Sequence, residues 1–174
     1  MPRHTISVLV ENQFGVLARV VGLFAGRGFN IQSLTVNEEP LDPTVSKIVL
    51  VTSGPDEILE QINKQLNKLI PVIKVVDYQA VDTVEREMML VKVSVDDRNR
   101  AELDSIISAF RGHVVDIGPR AVTVEVTGDT NKIQAFIALV RPFGIKEVVR
   151  TGSVAMARSV QLNNGAKRQA REDS

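Results

Sequence analysis

The sequence has no cysteine and no tryptophan, and its 174 residues include two histidines, six phenylalanines and one tyrosine. Without a thiol there can be no disulfide, thiolate metal site or cysteine nucleophile. Two histidines leave almost no room for a multi-histidine metal centre. Charge of one sign is also missing: 21 basic residues balance 21 acidic ones. Proteins that neutralise a nucleic-acid backbone carry a basic excess, so no nucleic-acid partner is expected. No apolar run approaches the ~20 residues needed to span a bilayer, and no targeting segment is legible. The opening Met1-Pro2-Arg3-His4 leads straight into a strand-like run. A soluble, cytoplasmic chain with no membrane partner is expected.

The chain does have the material for a core. Hydrophobic residues make up 44% and charged residues 24%, with a mean hydropathy of +0.04. That composition excludes disorder throughout, and the length suits one ordinary domain or two small ones. Charge is spread evenly, with 7 basic and 8 acidic residues in 1–80 and 10 and 11 in 81–157. The segment 161–174 is polar and nearly free of large apolar groups, and is expected to be a disordered tail.

The first half reads β-α-β-β-α-β. Thr5 to Val10 is rich in β-formers. Gly15 opens a helical pattern carried by Val16, Leu17, Val20, Leu23 and Phe24, and Gly28 stops it. Strands are expected over Asn30–Val36 and Val45–Thr52, around a loop punctuated by Pro40 and Pro43. Pro55 suits the first turn of a second helix, with Ile58, Ile62, Leu66 and Leu69 at helical spacing. Val72–Tyr78 is the fourth strand.

The second half repeats the order. A strand over Met88–Val95 precedes a helix over Arg98–Phe110. Short strands at Val114–Asp116 and Ala121–Val126 lead to a helix ending at Val140, and Ile145–Val149 is the last strand expected. The fold class is therefore α+β, two tandem ferredoxin-like βαββαβ domains. Domains are expected at 1–79 and 88–160, with 80–87 as a linker. Each half has a thin core and open sheet edges, so the antiparallel sheets are expected to extend across a domain or subunit boundary.

Enzyme chemistry finds little support. Neither His4 nor His113 is tied by the local sequence to a serine or a carboxylate, as a catalytic triad requires; each reads as a surface or strand-end residue. Asp96-Asp97 reads as a helix cap. Gly22, Gly26 and Gly28 end a helix rather than start one, and no Lys-Ser/Thr follows, so they are not a phosphate loop. RNA-recognition modules on this plan stack bases on aromatic strand residues, and neither Thr5–Val10 nor Val45–Thr52 has one. An acylphosphatase-like site would want an arginine in the first strand-to-helix loop, and Glu11-Asn12-Gln13-Phe14-Gly15 has none.

That loop is the most informative part of the chain. It brings a strand end onto a helix start, where unpaired N–H groups and the positive end of the dipole suit a carboxylate. Gly15 would let a ligand approach the backbone. Asn12 and Asn30 offer amide oxygens to an α-ammonium group. Val16, Leu17, Ile31 and Leu34 could receive a small aliphatic side chain, whose burial contributes ~1.5–3 kcal/mol. From the loop alone, plain turn chemistry is the competing reading, with Asn12 as a cap and Gly15 supplying positive φ.

The block Glu11-Asn12-x-x-Gly15-Val16-Leu17-Ala18-Arg19-Val20-x-Gly22-Leu23-Phe24-x-x-Arg27-Gly28-Phe29-Asn30-Ile31-x-Ser33-Leu34 resembles an ACT domain. More closely, it resembles the regulatory small-subunit family of acetolactate (acetohydroxyacid) synthase. The likeness continues in Glu85–Val93, Phe110–Asp116 and Arg150–Arg158. It implies a subunit with no catalytic residues or cofactor of its own. Such a subunit activates a large catalytic partner that carries thiamine diphosphate, Mg2+ and FAD, and it confers feedback inhibition by valine or another branched-chain amino acid. It further implies a homodimer in which Asn12, Gly15, Val16 and Leu17 of one protomer and Asn30 and Ile31 of the other hold the effector. The C-terminal domain would contact the catalytic subunit. Two departures stand out: Phe14 is bulkier than the small residue or proline that many relatives show there, and Ala18 stands where some relatives have serine, so no polar ligand role falls to it. A free-standing amino-acid sensor acting on another enzyme or a transcription factor is the alternative.

Overall fold

The computed structural model describes residues 2–159. The expected tail over 161–174 lies outside them. The chain divides into two compact units, one running to Val84 and resuming at Ala155, the other spanning Glu85–Val154.

In the first unit the order is β1 (Arg3–Glu11), α1 (Val16–Ala25), β2 (Ile31–Glu39), β3 (Asp42–Ser53), α2 (Asp56–Leu66) and β4 (Val72–Asp77). The strands form an antiparallel sheet in the order β2-β3-β1-β4, as the ferredoxin-like reading requires. Alternation sends Ile6, Val8 and Val10 of β1 and Ile48 and Leu50 of β3 to one face, where they meet Val16, Val20 and Phe24 of α1 and Leu59, Ile62 and Leu66 of α2. The helix residues recur at the three- and four-residue steps that line one helical face.

Helix α1 ends in a Schellman motif. Gly28 at φ 74° is the left-handed residue, its N–H donating to Ala25 O at 3.1 Å and that of Phe29 to Phe24 O at 3.0 Å. Asp42 pairs with Glu39, so the expected loop between the prolines is a tight hairpin with Pro40-Leu41 at its tip. Pro55 is the extended residue capping α2 rather than part of its first turn.

The second unit repeats the plan with β5 (Thr83–Ser94), α3 (Arg100–Ala109), β6 (His113–Ile117), β7 (Ala121–Gly128), α4 (Thr130–Val140) and β8 (Ile145–Arg150), in the order β6-β7-β5-β8. Its own core joins Met89, Val91 and Val93 to Val122, Val124 and Val126 under Leu103, Ile133 and Phe136. Asp96 braces the turn that leads into α3, accepting from the N–H groups of Arg98 and Asn99 at 2.9 and 3.0 Å, but the cap position expected of it is held by Asn99, without a side-chain bond to the helix. Asp129 caps α4, accepting from Lys132 N at 2.8 Å.

Two elements depart from the sequence reading. β5 begins at Thr83, so most of the segment expected as a linker is strand. A further strand, β9 (Val154–Ala157), follows β8 and pairs with β5. It is held beyond its end by Arg158, whose N–H donates to Asp82 O at 2.9 Å and whose Nε lies 3.1 Å from the Asp82 carboxylate.

Candidate effector-binding loop

Helix α1 starts without help from any side chain. Its cap is Gly15, at φ 79° and ψ −5°; no side chain bonds the first turn, and no acidic residue lies in it. Val16 N–H makes a long bond to Gln13 O at 3.4 Å, and among the described residues the N–H groups of Gly15, Leu17 and Ala18 meet no backbone acceptor. This is the positive end of the helix with its donors open, a natural seat for a carboxylate. An added Cβ on Gly15 would meet nothing within 4 Å, so glycine is needed here for its backbone angle and not for space.

Asn12 does not cap the helix. Its N–H donates to Thr44 O at 2.7 Å, and its side-chain Nδ2 donates to both Glu38 Oε1 and Pro43 O at 3.0 Å. The residue clips the loop to the β2–β3 hairpin. With both Nδ2 contacts on the hairpin, the amide oxygen is left as the acceptor expected of it. Of the apolar residues in the reading, Val16 is buried in the core, Ile31 is half-buried, and Leu17 is 40% exposed. Leu34 and Val36, paired with Leu50 and Ile48, lie on the helix-facing side of the edge strand and are 37% and 39% exposed.

The second half of the expected site is elsewhere. Asn30 O accepts from the buried Thr52 hydroxyl at 2.9 Å, and Ile31 pairs with Thr52. Asn12 is bound at Thr44 and Asn30 at Thr52, eight residues apart on β3. At ~3.4 Å per residue that is roughly 27 Å. One chain therefore keeps Asn12, Gly15, Val16 and Leu17 together but sets Asn30 and Ile31 at the other end of the sheet.

Two residues the sequence reading missed hold Asn30 in place. Thr52 binds its carbonyl, and Gly54 lies under the neighbouring ring, where an added Cβ would come 1.8 Å from Phe29 Cε1. The only signal available was a threonine and a glycine ending a strand, which any turn would also explain.

His4 is buried, not superficial. It shares its strand parity with Ile6 and so faces the helices. Asp56 Oδ1 lies 3.1 Å from Nε2 and Asp77 Oδ2 lies 3.9 Å from Nδ1, but neither ring nitrogen has a hydrogen bond. His113 is exposed on β6. Among the described residues no group of acidic or histidine side chains could hold a metal, and no helix is long and apolar enough to cross a membrane.

Two family models match consecutive parts of the chain: an acetohydroxyacid synthase small-subunit-like ACT domain over residues 6–74, and the small subunit of acetolactate synthase over 86–159. A protein of Methanothermobacter thermautotrophicus named "Probable acetolactate synthase small subunit" is 52% identical over 89% of this chain and 92% of its own. The acetolactate synthase small subunit of Mycobacterium leprae is 44% identical over 91% and 93%. The crystal structure of the small subunit from Thermotoga maritima superposes with a TM-score of 0.82 at 40% identity, covering 92% of this chain and all of that one. With both halves of the fold and nearly the whole described length accounted for, the chain belongs to the acetolactate synthase small-subunit family.

Proposed function

We propose that this chain is the feedback-sensing regulator of acetolactate synthase. It would activate a separate thiamine-diphosphate-dependent catalytic subunit and inhibit it when valine, or another branched-chain amino acid, binds between two ACT units. The observation that carries the reading is the open start of α1, held against the β2–β3 hairpin by Asn12. The effector carboxylate meets the N–H groups of Gly15, Leu17 and Ala18. Its ammonium group meets the amide oxygen of Asn12. Its side chain enters the apolar strip of Leu17, Leu34 and Val36, whose partial exposure leaves room for more burial.

The edge position of β2 supports a site shared by two copies. If two β2 strands pair antiparallel about a two-fold axis through their midpoints, the start of one lies opposite the end of the other. Glu38, at the end of β2, is bonded to Asn12. Asn30 and Ile31 of the partner subunit would then come beside Asn12, across the gap that one chain cannot close. Thiamine diphosphate, Mg2+ and FAD belong to the catalytic subunit in this reading, and the second unit of this chain bears on the same partner.

Calorimetric titration of the isolated chain with valine, leucine and isoleucine tests it. At least one should bind, Asn12→Ala and Asn30→His should each weaken that binding, and the wild-type chain should raise acetolactate formation by its catalytic partner. Absence of binding by all three amino acids, or co-purification with an unrelated enzyme or transcription factor, would overturn it.

A further inference from the structure

Three large apolar side chains stand out from the rest. Phe14, Leu41 and Ile70 are at least 95% exposed, whereas no other among the described residues exceeds 68%. Single exposed apolar residues are ordinary. These three sit on three loops at one end of the first sheet: β1–α1, the β2–β3 tip and α2–β4.

The loops are tied to one another. Glu11 N donates to Pro71 O at 2.8 Å, Asn12 N to Thr44 O at 2.7 Å, and Asn12 Nδ2 to Pro43 O at 3.0 Å. Asp42 Oδ1 stiffens the tip by accepting from Thr44 N and Oγ1 at 3.0 and 2.5 Å. Side chains held outward on a braced backbone lose little freedom on binding.

The same loops are acidic. Segments 11–15, 38–44 and 67–71 carry Glu11, Glu38, Glu39 and Asp42 against the single cation Lys68. Among the described residues none of the four carboxylates is paired with a cation: Glu11 accepts from Gln13, Glu38 from Asn12 and Asp42 from Thr44. A second copy of this end would bring like charges together, and nucleic acid or an anionic membrane would be repelled.

We infer that Phe14, Leu41 and Ile70 form a docking face for the acetolactate synthase catalytic subunit, which would meet it with apolar depressions rimmed by basic side chains. The inference rests on the regulatory reading above. It goes beyond that reading by giving the first unit a partner contact of its own, on the loop that carries Asn12 and Gly15. An effector that shifts that loop would then change the docking face directly.

The test is surface plasmon resonance of the intact chain on the purified catalytic subunit of the same organism, loaded with its cofactors. Leu41→Asp and Ile70→Asp should each weaken binding about tenfold or more while the isolated chain keeps its affinity for valine. Glu39→Lys should slow association and flatten its dependence on salt. If both aspartate variants bind the catalytic subunit within twofold of wild type, the docking face is wrong and the regulatory reading stands. If the variants instead lose self-association in sedimentation velocity, the face joins copies of this chain and the inference fails. A wild-type chain that binds no catalytic subunit overturns both.

Discussion

Gly15 carries two demands that can be separated by substitution. Its positive φ costs a non-glycine residue ~1–2 kcal/mol, yet the space around a new Cβ is open. Gly15→Ala should therefore lose that much in urea denaturation, and Gly15→Asp no more, since aspartate tolerates the left-handed region better than alanine. Only aspartate adds a negative charge where the effector carboxylate is proposed to sit, so its valine affinity should fall well below that of alanine. Equal affinities in titration calorimetry would refute the electrostatic part of the argument. Gly54 differs in kind. Its Cβ would strike the Phe29 ring, so Gly54→Ala should cost ~1–3 kcal/mol of overpacking and weaken the effector through Asn30, with Asn12 undisturbed. The loop around Asn12 was legible because its meaning is local: a strand end, a glycine and a helix start lie within six residues. Thr52 and Gly54 act on Asn30 from more than twenty residues away, and no spacing in the sequence records a contact of that kind.

Elements were legible where their punctuation is chemical. Gly28 stops α1 by adopting the left-handed angle, and Gly15 opens the same helix with another. The start of β5 was not, because Thr83–Glu87 reads as a charged connection. Its end is already paired, Glu87 with Gly128 of β7, and β5 also pairs with β9, four residues whose own sequence shows little pattern. Helix α2 shows the reverse error: Leu69 continues the apolar spacing, but the regular helix ends at Leu66 and the chain turns towards β4. β2 carries the test at this scale. It is an edge strand whose helix-facing side exposes Leu34 and Val36. Val36→Lys should convert a dimer into monomer in sedimentation velocity, by setting like charges across the axis. It should abolish valine binding in the same protein while leaving the helical content, read by circular dichroism, unchanged.

At the scale of the whole molecule there are two sheets with two separate cores. Differential scanning calorimetry should resolve more than one transition, since multi-domain chains seldom unfold as one. In the proposed reading valine binds the first unit only, so at a concentration 100 times its dissociation constant it should stabilise that unit by ~2.7 kcal/mol and leave the other transition where it was. A uniform rise in both would count against an effector site confined to the first unit. The repeated βαββαβ order was legible because each half carries its own periodic helices and β-branched strands. The boundary between the halves was not, since it depends on where the chain returns.

That return has a practical consequence. The first unit claims the chain twice, up to Val84 and again from Ala155, so it is closed like a belt whose end tucks back under the buckle. A fragment stopping at residue 84 would be missing part of its own domain, and one starting at residue 85 would carry that part along as a stranded piece of its neighbour, while Asp82, the bonded partner of Arg158, stays on the first. Two such halves, mixed in one tube, should therefore recognise each other through the misplaced ribbon at 154–158.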